Sequence, residues 1–450
     1  MKNIKKFKER SVWLFKLLNI SYKDNMFKEL RNIEKREDGI YILNKLGHVA
    51  MIPLELEEEL YKYAELEKLP EVVPEFIYDL ANIGLLEYTN YNPNKEQLYF
   101  DDAILKSKDD KPVYKGPIIA HLAITNACNM NCKYCSVKNI HSQIKNGLST
   151  EEYKKIIDKL VKIGTFQIGL TGGEPTTRKD LVELVQYIAS KNVACNLTTN
   201  GFSVSEELVI ALKDAGLTQV QISLDSHKKE IHEKYRTKGS FDKAMKTAKL
   251  FKKYGFIVGV DTVVTNSNME DLEEFMDFLE ENNFDGLTII KLKQGYLDLE
   301  TFKAQVPEYN NYAEIIDRIC RRKGKLEVTI DCSSVNNLCK TLTIEEQNKI
   351  HSAGCPAGHT LISIAPNGEI YPCAALTNEK YKIGNILIDD LEKIWNESEI
   401  LKSLRGIKNK VEGKCKNCPK LDVCRAGCRG ISDSLAGKQY ISDANCKVAF

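Results

Sequence analysis

The distribution of cysteine constrains this chain more than any other feature of its 450 residues. There are 14 cysteines, and none of them precedes Cys128. Three fall between Cys128 and Cys135, and seven lie between Cys355 and Cys446. Scattered cysteines are usually small buried hydrophobes. We expect that role for the remaining four: Cys195, Cys320, Cys332 and Cys339. Clustered cysteines in a chain without an export signal more commonly bind metal or do chemistry.

The composition is typical of a soluble globular protein. Apolar residues make up 43% of the chain, charged residues 28%, and the formal net charge is +1. This balance provides no basic field that would attract nucleic acid. The Lys-rich start is not followed by a long apolar run, and no segment has enough consecutive apolar residues to span a bilayer. We therefore expect a cytoplasmic protein whose partners include neither nucleic acid nor membrane.

The middle of the chain alternates between strand-like and helix-like patterns. Six runs predict strands: Ile118–Thr125, Phe166–Leu170, Cys195–Thr199, Val220–Leu224, Val258–Val264 and Leu287–Leu292. Five runs between them have helical spacing: Thr150–Ile163, Lys179–Ser190, Ser205–Ala215, Phe241–Tyr254 and Asn268–Asn282. Asp180 and Asn268 stand near helix starts, where their side chains can cap free N–H groups. Such alternation implies an α/β fold with a parallel sheet. Six strands indicate a partial (β/α)6 barrel of the TIM type, with its active site where the strands end.

Pattern changes along the chain predict five segments: 1–105, 106–117, 118–300, 301–354 and 355–450. The first is a winged-helix-like domain, in which Ile40–Leu43 and His48–Ile52 form a hairpin and helices follow over 54–66 and 74–86. A polar linker leads from it to the barrel. A mostly helical or mixed region then bridges to the cysteine-rich last segment, which has few long periodic elements. Such a segment usually needs metal to replace a missing core.

The first cysteine cluster directly follows the first strand of the predicted barrel. Cys128, Cys132 and Cys135 have the spacing C-x3-C-x2-C. Three thiolates fit three corners of a four-iron cluster, which leaves the fourth iron free to bind a substrate or cofactor. A zinc site is the alternative, but structural zinc usually takes four protein ligands.

On these residues the chain resembles the radical S-adenosylmethionine (SAM) superfamily from about Pro117 to Gln294. The resemblance implies that SAM chelates the fourth iron and is cleaved to a 5′-deoxyadenosyl radical. It also implies SAM contacts at successive strand ends: Tyr134, Gly172, Gly173, Glu174, Asn200, Ser223, Asp225 and Arg236. In the family pattern Tyr134 lies near the adenine, Glu174 accepts from the methionyl ammonium, and Arg236 pairs with the methionyl carboxylate. The glycines let the backbone approach the ligand. Taken singly, each residue also fits an ordinary turn, strand end or surface ion pair.

The seven later cysteines resemble the SPASM domain, which holds two auxiliary four-iron clusters. The resemblance assigns four thiolates to an outer cluster: Cys415, Cys418, Cys424 and Cys446. It assigns three to an inner cluster: Cys355, Cys373 and Cys428. Two fully ligated clusters need eight thiolates. We therefore expect an open iron on the inner cluster, unless His359 or another side chain fills it. An open iron suits a thiolate of a peptide substrate, because thiolates are soft ligands.

The N-terminal module resembles the PqqD-like recognition element fused to many such enzymes. Those domains bind the leader of a precursor peptide as an added strand at a sheet edge. A DNA-binding winged helix is the alternative, and the near-neutral net charge argues against it.

The three parts in this order resemble maturases of ribosomally made peptides, and most closely the thioether-forming sactipeptide, ranthipeptide and SCIFF types. The implied enzyme joins a Cys sulfur to a carbon of a Cys-rich precursor peptide. Its cofactors are three [4Fe–4S] clusters and SAM, and its electron donor is of the flavodoxin or ferredoxin type. Two alternatives remain: a maturase that oxidises a residue or forms a carbon–carbon crosslink, as sulfatase-activating enzymes illustrate, and a non-catalytic metal-binding adaptor. The sequence identifies neither a general base nor the acceptor carbon.

Overall fold

The computed structural model describes residues 30–35, 40–44, 49–52, 114–136, 147–217, 219–295, 297–322, 324–334, 337, 354–438, 440–442 and 446. The chain divides into two compact units, Met1–Phe100 and Asp101–Phe450. No helix among the described residues is both long and apolar enough to cross a membrane.

The described part of the first unit is a three-stranded antiparallel sheet. Its strands are β1 (Leu30–Lys35), β2 (Ile40–Asn44) and β3 (Val49–Ile52), in the order β1-β2-β3. The pairing of β2 with β3 confirms the predicted hairpin, whereas β1 was not predicted. The predicted helices over 54–66 and 74–86, and with them the winged-helix expectation, lie outside the described residues.

The second unit is built on a ten-stranded sheet. Its strands are β4 (Ile119–Ala123), β5 (Gln167–Thr171), β6 (Ala194–Thr199), β7 (Gln219–Ser223), β8 (Ile257–Val264), β9 (Gly286–Lys291), β10 (Glu327–Ile330), β11 (Leu361–Ile364), β12 (Glu369–Tyr371) and β13 (Gly384–Asn385). Their order is β10-β9-β8-β7-β6-β5-β4-β11-β12-β13. Neighbours from β10 through β11 are parallel, and the last two strands are antiparallel additions. This is the open parallel sheet of a partial barrel, as predicted.

Helices connect and cover the strands. Those described in this unit are α1 (Thr150–Ile163), α2 (Leu181–Ser190), α3 (Glu206–Asp214), α4 (Lys229–Tyr235), α5 (Ser240–Lys253), α6 (Leu272–Glu281), α7 (Leu299–Gln305), α8 (Tyr309–Arg321), α9 (Leu391–Glu397), α10 (Glu399–Arg405), α11 (Ile407–Lys410), α12 (Leu421–Cys424) and α13 (Arg429–Ala436). Helix α1 begins with a complete capping box between Ser149 and Glu152.

The two faces of the parallel sheet differ in chemistry. Side chains alternate along a strand, and on one face Leu122, Leu170 and Ile222 are fully buried in the main core, which the helices share. The other face carries residues such as His121 and Gln221, which are only half-buried. The interior of a closed TIM barrel is instead packed with branched apolar side chains. The inner face here is polar instead, which suits a polar ligand at the open side of the sheet.

Two details of the sequence analysis were wrong, each for a local reason. Asp180 and Asn268 do not cap helices. The Asp180 carboxylate accepts from Arg178 and Thr150, and Asn268 Oδ1 accepts from the backbone N–H of Thr265 at 2.7 Å. Donors outside the following helix therefore occupy the oxygens that would cap it.

The sheet also extends further than the six predicted strands. Strand β10 lies in the segment read as helical or mixed, and β11 joins the edge of β4 from the cysteine-rich segment. The last segment is thus anchored to the barrel through a shared sheet.

Candidate functional site

The first cysteine cluster lies in the loop that leaves the carboxyl end of β4. Cys128 is exposed, and Cys132 and Cys135 are half-buried. Burial raises the pKa of Cys132 to about 11, and the charges of Cys128 and Cys135 act in the same direction. The three thiols are therefore close enough for their charges to influence one another. Metal binding requires the thiolates and would release these protons.

The two glycines of Gly172-Gly173-Glu174 pack closely against the backbone that leads into the cysteine loop. The φ angle of Gly172 is +142°, and a Cβ there would lie 2.3 Å from the backbone oxygen of Thr125. A Cβ on Gly173 would lie 2.2 Å from the oxygen of Ala127. Backbone hydrogen bonds from Gly173 to Thr125 and from Glu174 to Ala127, at 2.7 and 2.8 Å, close this contact. The close approach that requires glycine is therefore to the backbone just before Cys128. The sequence analysis had expected the glycines to approach a ligand.

Glu174 is 1% exposed and joins three strand ends. Its Oε1 accepts from the hydroxyls of Thr176 and Thr199 at 2.6 and 2.7 Å, and its Oε2 accepts from the backbone N–H of Asn200 at 2.8 Å. Burial raises the pKa of Glu174, although these donors oppose the rise. The side-chain amide of Asn200 also reaches Cys128 Sγ at 3.9 Å. A carboxylate is thus fixed beside the first cysteine of the loop.

A second buried carboxylate, Asp225, organises the opposite side of the loop. Its Oδ2 accepts from the Tyr134 hydroxyl. The same oxygen also accepts from Arg236 Nε, at 2.6 Å. Its Oδ1 accepts from Arg236 Nη2 and from the backbone N–H of Val263, both at 3.0 Å. Burial alone would raise the pKa of Asp225, but the Arg236 guanidinium holds it below its usual range. In this structure the guanidinium is paired with Asp225 and lies over the Tyr134 ring at 5.6 Å.

The cysteine loop is also hydrogen-bonded to the segment around Arg236. The backbone N–H of Lys133 donates to the oxygen of Tyr235 at 2.8 Å, and that of Asn131 donates to Thr237 Oγ1 at 3.2 Å. Ser223 ends β7 on the half-buried inner face, opposite Asp261 in register. We call Tyr134, Glu174, Asn200, Ser223, Asp225 and Arg236 the SAM bed, after the role that the family resemblance implies for them. The structure brings these predicted residues to one edge of the sheet.

Four of the later cysteines form one group, the outer set. Cys415 and Cys418 lie on either side of a tight turn with a 3.1 Å backbone hydrogen bond. Burial raises the pKa of Cys418, and the charges of Cys415, Cys424 and Cys446 raise it further. The structure therefore brings together the four residues that the family pattern assigns to the outer cluster.

A second group, the inner set, contains the three expected residues and one more: Cys332, Cys355, Cys373 and Cys428. Interaction with the neighbouring Cys355 and Cys428 thiols raises the pKa of Cys332, and the same interaction lowers the pKa of Cys355 to about 6. Burial raises the pKa of Cys373 to about 12, with contributions from the charges of Cys355 and Cys428. These interactions indicate a role for Cys332 beyond the core packing that the sequence analysis favoured.

The eighth thiol has a clear structural origin. Cys332 stands two residues after the end of β10, the strand that the sequence analysis missed. A cysteine at the carboxyl end of a parallel strand was the signal that could have identified it. His359, the other candidate for the vacant position, instead contacts buried Arg425 at 2.6 Å through Nε2. Cys339 lies outside the described residues.

The thiol sets fit four-iron clusters by number and kind of donor. Two sets offer four cysteines each, and the loop after β4 offers three, as a cluster with one exchangeable iron requires. Among the described residues, no three His, Cys, Asp or Glu side chains converge tightly enough for a single metal ion. A four-iron cluster is larger than one ion and holds its cysteines further apart.

Comparison with known families agrees with these sets. Residues 122–279 match the model of the radical SAM superfamily, and residues 355–419 match that of SPASM, an iron–sulfur cluster-binding domain. The chain contains a radical SAM domain and a SPASM domain. Cys332 lies between the two matched ranges, so neither family match includes it.

Curated relatives of this chain include a maturase and a heme synthase. Mycofactocin maturase MftC of Mycolicibacterium smegmatis is 29% identical over 314 residues, which cover 69% of this chain and 78% of the relative. AdoMet-dependent heme synthase of Methanosarcina barkeri is 25% identical over 334 residues, covering 72% and 94%.

Two solved structures share the fold. Streptococcus suis SuiB bound to precursor peptide SuiA superposes with a TM-score of 0.63 at 19% identity, over 94% of this chain and all of SuiB. The enzyme anSMEcpe with bound AdoMet gives a TM-score of 0.61 at 21% identity, over 74% of this chain and 94% of that one.

Proposed function

We propose that this radical SAM enzyme matures a ribosomally made precursor peptide by oxidative crosslinking or oxidation of one of its residues. One observation carries the proposal. The loop with Cys128 leaves the end of β4, and Cys332 follows the end of β10 in the same parallel sheet. Parallel strands end at one edge, so the SAM-binding loop and the inner set face the same opening. A peptide residue placed there lies between a radical source and an electron acceptor.

Relatives support a peptide substrate. MftC is named as a maturase, and SuiB was solved with its precursor peptide. The likeness to SuiB extends over 94% of this chain, whereas that to anSMEcpe covers 74%. Coverage of the first hundred residues is in keeping with a leader-binding module at the N-terminus, in which the β1–β3 sheet offers an edge for an added strand. Reduction of the first cluster by a flavodoxin- or ferredoxin-type donor completes the proposal.

The chain's own residues divide the work. Cys128, Cys132 and Cys135 would hold a four-iron cluster with one open iron, and SAM bound there would supply the radical for removing a hydrogen atom from the peptide. Glu174 would accept from the methionyl ammonium with its remaining lone pairs. Asp225 holds the Tyr134 ring and the Arg236 guanidinium in place, where they would contact the adenine and the methionyl carboxylate. Both roles depend on burial, which excludes water and strengthens each contact.

The inner set changes the preferred product. A thioether was expected because seven cysteines left an open iron to hold the peptide sulfur. With Cys332 as a fourth thiolate, the inner cluster is fully ligated and acts as an electron acceptor. That arrangement favours residue oxidation or a carbon–carbon crosslink, and a thioether formed without sulfur bound to iron is the second candidate, because the chain resembles thioether-forming maturases.

The test is an anaerobic reaction of the reconstituted full chain with SAM, a reductant and a small precursor peptide encoded beside its gene. We expect 5′-deoxyadenosine and loss of two hydrogens from the peptide for each modification. Subsequent alkylation then separates the products. A crosslink between carbons leaves every peptide cysteine free to alkylate, whereas each thioether protects one.

A matched control uses the same peptide without its leader, which should react poorly if the N-terminal module binds the leader. An unmodified peptide together with rapid SAM cleavage on a small molecule would contradict the peptide assignment.

A further inference from the structure

Lys293 and Asp331 form an ion pair at the carboxyl ends of two neighbouring strands. Lys293 follows β9, Asp331 follows β10, and these strands pair in parallel. The Lys293 Nζ to Asp331 Oδ1 distance is 3.3 Å, and about a quarter of each side chain is accessible, at 24% and 23%. Neither residue belongs to the SAM bed. Their position at the open edge of the sheet therefore needs another explanation.

The inner set lies directly beside this pair. Cys332 is the next residue after Asp331 in the chain. The backbone N–H of Asp331 donates to the oxygen of Ile289, and that of Lys291 donates to Ser333 Oγ, both at 3.0 Å. These two bonds hold the Cys332 loop against the end of β9. Burial opposes the charge of Lys293, yet Asp331 and the thiolates of the inner set raise the pKa of Lys293 above its ordinary value.

Lys293 is the cation that faces the inner set from the barrel. His121 lies near the same pair, but burial and the charge of Lys293 lower its pKa to about 4, so it is neutral near pH 7. Asp331 is the neighbouring anion, with its pKa held low by Lys293 against the effect of burial. On the SPASM side, buried Arg429 interacts with Cys355. The inner set thus interacts with Lys293 from the barrel and with Arg429 from the cysteine-rich segment.

We propose that Lys293 raises the reduction potential of the inner auxiliary cluster, so that this cluster accepts the electron left on the peptide after hydrogen removal. Reduction adds one negative charge to a thiolate-bound cluster that is already anionic. A cation close by, in a site of low dielectric, stabilises the reduced form more than the oxidised form. The electron comes from the peptide radical. Its oxidation forms the new bond or double bond and releases one proton to solvent, and the cluster is reduced by that one electron.

Substitution of Asp331 provides a second test, because it should shift the reduction potential in the opposite direction to substitution of Lys293. An anion beside the cluster destabilises the reduced form, so the pair's two members pull the potential in opposite directions. Loss of the Lys293 charge should lower the potential, whereas loss of the Asp331 charge should raise it. If Lys293 served only as the ion-pair partner of Asp331, the two substitutions would not shift the potential in opposite directions. Each would break the same ion pair and disturb the local structure in the same way.

The experiment is a redox titration of the reconstituted full chain, followed by electron paramagnetic resonance (EPR). Loss of one signal in Cys373→Ala assigns the inner cluster. We expect its potential to fall in Lys293→Gln, to rise in Asp331→Asn, and to stay near the wild-type value in Lys293→Arg. The exposed Lys249→Gln is the matched surface control and should shift nothing. The potential of the outer cluster serves as an internal control in every variant.

The inference rests on the proposed function only in that the inner set binds a cluster. A wild-type protein without the Cys373-dependent signal would overturn both. A normal signal whose potential is the same in Lys293→Gln, or shifts in the same direction in Lys293→Gln and Asp331→Asn, would overturn the role of Lys293 alone. If Lys293→Gln loses the cluster, Asp331→Asn still decides the sign: a rise in the potential supports the proposal and a fall overturns it.

Discussion

The SAM bed and the inner set reach the same edge of the sheet by different routes. Five residues of the SAM bed lie at or after the ends of successive strands, from Tyr134 after β4 to Asp225 after β7, and Arg236 follows helix α4. All six were predicted from short motifs. The inner set gathers thiols from four separate segments, between Cys332 and Cys428. A site built on consecutive strand ends can be read along the chain. A site built across two domains is visible only once the strands that carry it are placed.

The comparison predicts different losses from the two sites, and cysteine substitutions give the largest. Cys132→Ala should abolish 5′-deoxyadenosine formation, because the first cluster loses one of its only three thiolates. Cys373→Ala should retain uncoupled SAM cleavage and lose peptide product. Liquid chromatography of both products measures this. Cys320→Ser, on α8 and outside all three thiol sets, is the control. Equal loss of SAM cleavage in Cys132→Ala and Cys373→Ala would show that the sites do not have separate roles.

A second expected effect concerns the stability of the SAM bed. Asp225→Asn leaves the buried guanidinium of Arg236 without its counter-ion, which typically costs about 3–5 kcal/mol. Denaturant unfolding of the variant should show this decrease in the free energy of unfolding. Asp214→Asn, at the exposed end of α3, should change it little. A decrease in Asp225→Asn as small as in the control would mean that the network is not held by charge.

A smaller effect is expected on SAM affinity. Glu174→Gln removes the negative charge opposite the methionyl ammonium while keeping similar size. A hydrogen bond to a charged group is worth about 1.5–3 kcal/mol, which corresponds to roughly 10- to 150-fold in the dissociation constant. Equilibrium dialysis with labelled SAM measures it, with exposed Glu183→Gln as the control. Unchanged affinity would remove Glu174 from the SAM contacts.

The last expected effect is a pH dependence of the free energy of unfolding, which comes from His232 beside Asp225. Burial lowers the pKa of His232 to about 4, and its Nδ1 accepts from the backbone N–H of Asp225 at 3.2 Å. The unfolded chain binds a proton between pH 4 and 6.5 that the folded state does not, so stability rises with pH across that window, by at most about 1.4 kcal/mol per pH unit. His232→Gln should flatten this slope. Urea unfolding at several pH values tests it, and an unaltered slope would contradict the assignment.

The sequence predicted what depends on local pattern. The six strands and five helices of the barrel follow from apolar periodicity, and the glycines before Glu174 from their motif. It missed what depends on tertiary contacts. Four-residue β10 has exposed or half-buried residues at three of its positions, so it carries little periodic signal. Without β10, nothing placed Cys332 at a strand end. The pairing of Arg236 with Asp225 was missed for a similar reason, because ten residues, including helix α4, lie between them.

The most direct test of a fully ligated inner cluster is its response to an added thiol. With SAM present to occupy the first cluster, the EPR signal of the inner cluster is recorded before and after addition of a small thiol or a Cys-bearing peptide. We predict no change in the wild-type protein and a changed signal in Cys332→Ala, where an iron becomes open. A changed signal in the wild-type protein would contradict the account, because it would mean that Cys332 is not the fourth ligand and that the inner cluster binds substrate sulfur.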